Sequence, residues 1–97
     1  MNLWAIYYDL LPGPPERLPP IFGLIDAAEE EGFSRLPPPL CRRARLPDRA
    51  LWGRFADSTA ALAAFDRALA AASGLLGFDV RAERRMAIRL PGLPDSP

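Results

Sequence analysis

The stretch Leu3-Trp4-Ala5-Ile6-Tyr7-Tyr8-Asp9-Leu10 decides the fold class. Aromatic and aliphatic side chains of this kind fit a pleated surface, and their run predicts a first strand over 3–10. Alternation puts Trp4, Ile6 and Tyr8 on one side and Leu3, Ala5 and Tyr7 on the other. Both sides are apolar, which suits a strand at the centre of a sheet and covered twice.

Five prolines and a glycine make residues 11–20 a stiff loop. Pro19 and Pro20 suit the first turn of a helix. Ile21, Leu24, Ile25 and Ala28 then recur at amphipathic spacing, with Asp26, Glu29, Glu30 and Glu31 toward solvent and Gly32 as the stop. Leu36-Pro37-Pro38-Pro39-Leu40 is unfit for a central strand and leads into a short edge strand expected at about residues 40–46. Leu51–Ala56 predicts a third strand, with Trp52 and Phe55 on opposite faces. Asp57, Ser58 or Thr59 caps a second helix whose stripe is Leu62, Phe65, Leu69, Ala72 and Leu76, ended by Gly74 or Gly77. A fourth strand is expected over 79–90. Its buried face would carry Val80, Ala82, Met86, Ile88 and Leu90, and its polar face Arg81, Glu83, Arg85 and Arg89, with Arg84 breaking the alternation.

The expected fold is therefore α+β and ferredoxin-like: β-α-β-β-α-β, a four-stranded antiparallel sheet with two helices on one face. A single domain spans 1–90, and 91–97 form a flexible C-terminal tail. The helices cover one face only, so the apolar side chains on the other call for a second chain. A homo-oligomer or another protein partner is expected on this ground.

Composition narrows the chemistry. The 97-residue chain suffices for one domain, and its 12 acids balance 12 cations, all arginine. Arginine suits phosphate and interface ion pairs, although Arg, Ala, Pro and Gly enriched together also fit a GC-rich genome. Histidine is absent, which excludes Ser-His and Cys-His nucleophile pairs and His-bound zinc. Cys41, the one cysteine, excludes an internal disulfide and reads as a packing residue. No leader is expected at Met1-Asn2-Leu3 and no apolar run of membrane-spanning length, so the expectation is a cytoplasmic protein with no membrane partner.

Four constellations remain. Asp9, at the end of strand one, has the chemistry of a catalytic and metal-binding carboxylate if paired with its copy across a two-fold axis; otherwise it starts the loop. Arg42, Arg43 and Arg45, with the row Arg81, Arg85 and Arg89, would form a nucleic-acid-binding track if the two surfaces join, or solvated surface if they do not. Trp4, Tyr7, Tyr8 and Trp52 are aromatics for a core or a dimer interface, and the fold can also use such rings to stack bases. Leu36–Leu40 is either a polyproline ligand or a brace against edge pairing.

A small α+β chain whose first strand ends in Tyr8-Asp9, with Gly32-Phe33 after helix one and Val80-Arg81 after helix two, resembles the CRISPR-associated small endoribonuclease family and its relative, virulence-associated protein D. The resemblance implies a ferredoxin-like dimer, in some members a nuclease with Mg²⁺ held by the aspartate matching Asp9. The loop 11–20, the Leu36–Leu40 segment and the residues after Asp9 depart from the family pattern.

Two functions follow as expectations. The first is a non-enzymatic interaction or accessory module without a cofactor, acting as a dimer or a subunit of a larger assembly. The alternative is a metal-dependent nuclease or nucleic-acid-binding protein using Asp9 and Mg²⁺. A small-molecule enzyme of the dimeric α+β barrel type, with Tyr7 or Tyr8 as its polar handle, stands third.

Overall fold

A computed structural model describes residues 2–34 and 50–90. Strand β1 is Asn2–Leu10, helix α1 Pro20–Glu30, strand β2 Ala50–Phe55, helix α2 Ser58–Leu76 and strand β3 Ala82–Arg89. The sheet has the order β2-β1-β3, and β1 is antiparallel to both neighbours. The two outer strands thus run the same way, joined by α2 across the inserted central strand. The fold is α+β with two helices and an antiparallel sheet, three-stranded among the described residues. The edge strand expected at 40–46 and the tail 91–97 lie outside those residues.

The helix ends follow local chemistry. Pro19 is the N-cap of α1 and Pro20 its first residue, where a missing N–H costs nothing. Gly32, at φ 95°, turns the chain out of the helix, while the Phe33 N–H donates to the Ala28 carbonyl. At α2, an Asp57 carboxylate oxygen accepts from the Ala60 N–H at 2.8 Å, and Gly77 closes the helix at φ 77°. Replacing Asp57 by alanine is expected to cost about 1 kcal/mol, read as a lower urea midpoint, with Asp57→Asn keeping most of the loss back.

The buried arcs differ from the expected stripes. On α1 they comprise Pro20, Gly23, Leu24, Ala27 and Ala28; on α2, Ala61, Ala64, Phe65, Ala68 and Ala72. Leu62, Leu69 and Leu76 sit at the margin, only partly buried. The reason is that α2 packs against the sheet and α1 together, and small residues let three elements approach closely. Arg17 donates to the Leu76 carbonyl at 3.2 Å, and Arg67 pairs with Glu31 at 2.9 Å, so the helices run antiparallel, with the two ends of α1 tied to the end and the middle of α2. Among the described residues, α2 alone is long and apolar enough to cross a bilayer by those measures. Asp66 and Arg67 interrupt it midway, and both are held in ion pairs.

The main core lies between helices and sheet. Ile6, Tyr8, Leu24, Phe33, Leu51, Phe65 and Val80 are buried there. Tyr8 stacks on Phe65 with ring centroids 5.4 Å apart, and Phe33 on Phe55 at 4.8 Å. Gly53 faces this side, where a Cβ would stand 3.0 Å from the Gly32 carbonyl oxygen, so only glycine lets the end of α1 sit on β2.

One expectation is overturned. Arg84 stands opposite Asp9, but Ala82 stands opposite Leu10, so β3 carries one extra residue, a bulge. A one-residue shift reverses which side every later side chain takes. Val80 and Ala82, before it, pack into the helix-side core. After it, Ala87 does so, whereas Met86 and Ile88 point away from the helices and lie 59% and 38% exposed. Arg85 turns instead toward α2. The alternation over 79–90 is real, yet it does not describe a single buried row.

Candidate functional site

The face of the sheet opposite the helices is the candidate site, and the register places its residues. Arg54, Trp52 and Ala50 come from β2, Leu3, Ala5, Tyr7 and Asp9 from β1, and Arg84, Met86 and Ile88 from β3. Leu90 continues the last row, its N–H donating to the Leu3 carbonyl at 3.1 Å. The middle of this face is apolar and its ends are charged.

Burial on this face is uneven. Ala5, Ala50 and Trp52 form a second buried cluster, with Trp52 only 4% exposed in a single chain. Tyr7 packs edge-on against Trp52, centroids 6.5 Å apart, and is half-buried. Exposure of apolar surface therefore concentrates at β3, on Met86 and Ile88. Sequence periodicity assigns both to the interior. The signal that finds them is Arg84, the residue that breaks the alternation and marks the bulge.

The four aromatics divide by parity. Tyr7 and Trp52 belong to this outer face. Tyr8, buried beneath α2, and Trp4, whose indole N–H donates to the Phe55 carbonyl at 3.1 Å, belong to the helix side. Asp9 is on the outer face at the end of β1. Its carboxylate lies 3.4 Å from the Arg84 guanidinium, and both groups are open to water. An exposed pair of this kind adds little stability, but it holds Asp9 beside a cation. Among the described residues no three His, Cys, Asp or Glu side chains gather where they could hold a metal ion.

The arginine row does not assemble as one track. Arg81 pairs with Asp79 at 2.9 Å, and the bulge separates it from the others. Arg85 pairs with Asp66 of α2 at 2.9 Å, and Arg89 donates to the Asn2 side-chain oxygen at 3.5 Å. Arg42, Arg43 and Arg45 lie outside the described residues.

Comparison with protein-family models, with curated proteins and with solved structures gave no match.

Proposed function

We propose that this chain is a small non-enzymatic interaction module that associates with a second copy of itself through the β3 side of its outer sheet face. The observation that carries the reading is the pair Met86 and Ile88, uncovered on a face whose other apolar side chains are largely buried. Burying them removes apolar surface from water, the main driving force of association. The ferredoxin-like β-α-β-β-α-β order is part of the same proposal. It is supported by a central β1 inserted between two strands that α2 connects.

Sedimentation equilibrium tests the reading. The expected species has about twice the 10.7 kDa chain mass, and Met86→Ser combined with Ile88→Ser weakens association at least about tenfold. A wild type that stays monomeric throughout the concentration series overturns it. Labelled RNA and DNA with Mg²⁺ or Mn²⁺ supply the counter-test. Cleavage by the wild type that is lost in Asp9→Ala would replace the docking reading with the metal-dependent nuclease.

A further inference from the structure

We infer that two copies join edge to edge through β3, antiparallel, with Met86 of one chain directly opposite Met86 of the other. This inference rests on the self-association proposed above and narrows it to one register.

The backbone sets which residues can bond outward. The Leu90 N–H points toward β1, where it donates to the Leu3 carbonyl. Along a strand the bonding direction alternates, so Ile88 and Met86 also bond inward, and Arg85, Ala87 and Arg89 turn their N–H and C=O groups away from β1. The opposite edge of the sheet gives the same phase. Trp52 of β2 bonds outward to Ser34 in both directions, at 2.6 and 2.8 Å, leaving Leu51 and Gly53 to bond β1. Among the described residues no segment pairs with the outer edge of β3. An edge of this length with free donors and acceptors is a template for another strand.

Charge then selects the register. With Met86 on the two-fold axis, Arg85 bonds opposite Ala87 of the other copy, and Glu83, the bulge residue next to Arg84, comes beside Arg89, twice over by symmetry. Arg84 lies opposite Ile88, and its aliphatic stem covers that side chain. Sliding the pairing to either neighbouring symmetric register sets Arg85 opposite Arg89, or Arg85 opposite its own copy. Like charges directly opposite are destabilising. The Met86 register avoids both, and its Arg85 is already neutralised by Asp66 within each chain. The axis is perpendicular to the sheet, so both pairs of helices lie on one side and both Met86 side chains on the other, where they cover one another. On this face of the sheet the exposed apolar side chains, Met86 and Ile88, thus lie where this pairing would use them.

Cross-linking reads the register. Opposed residues at a non-hydrogen-bonded position have Cα atoms about 4.5 Å apart, within disulfide reach. In a Cys41→Ser background, Met86→Cys is expected to oxidise to a covalent dimer. Ile88→Cys is expected to stay unlinked, because its copy stands about 13 Å away along the strands. Independently, Glu83→Arg or Arg89→Glu alone weakens self-association by about tenfold, and the two together restore it. Circular dichroism confirms that each variant is folded. If the wild type dimerises but Met86→Cys fails to link, or the double charge swap fails to rescue, the register is wrong and the docking reading stands. A wild type without any dimer removes both.

Discussion

Phe65→Ala is expected to lower stability by about 3–5 kcal/mol, the usual cost of emptying a fully buried aromatic site. Phe65 is completely inaccessible and stacks on Tyr8, so it links α2 to the central strand. Its neighbours Ala61, Ala64, Ala68 and Ala72 are too short to refill the space. The cavity therefore stays open, which puts the loss toward the upper part of that range. Domains of this size have about 5–15 kcal/mol in total. The melting temperature should fall by more than about 12 °C, measured by circular dichroism. Leu75→Ala, at an exposed position on the same helix, is the control and should move it little. A Phe65→Ala variant melting within a few degrees of the wild type would show that α2 is not seated as described.

The second large effect is expected on the other side of the sheet. Trp52→Ala should also cost about 3–5 kcal/mol, because Trp52 is 4% exposed in one chain, lies in the cluster with Ala5 and Ala50, and supports the Tyr7 ring. Met86→Ser, two strands away on the same face, should change chain stability by less than about 1 kcal/mol, since its side chain is mostly solvated. Together these separate what folds the chain from what joins two chains. Urea unfolding at low protein concentration, where association is absent, checks both. A Trp52→Ala loss below about 1 kcal/mol would mean that the outer layer is not part of the folded single chain.

Much of this architecture is legible in the residues because the chemistry that decides it is local. The two-sided apolar pattern of 3–10 identifies the central strand without reference to its neighbours. Pro19-Pro20, Gly32, Asp57 and Gly77 mark helix ends through cap geometry that spans only a few residues. What periodicity misread is non-local. The rotation of α2 onto its alanines depends on α1 lying against it, and the sidedness of Met86 and Ile88 depends on a bulge that exists only in pairing with Asp9 and Leu10. The candidate site suffers most from this. Parity alone names Tyr7 and Trp52, but it assigns the two apolar side chains left open to the interior. Alternation also makes a continuous row of Arg81, Arg85 and Arg89, which the bulge divides.

The extra residue in β3 has a further consequence. Sidedness in this strand is set by pairing rather than by composition: what the sheet shows beyond Glu83 depends on whether that residue bulges out of the ladder or takes a place in it. Were Glu83 paired with Asp9 instead of bulging out, Tyr7 would stand opposite Arg85, so thioether and sec-butyl groups would turn toward the helices and the guanidinium groups of Arg85 and Arg89 outward. The sheet would still form, but as a surface suited to a different neighbour. The pairing of this one residue therefore governs what the molecule can meet, independently of which residues lie beyond it.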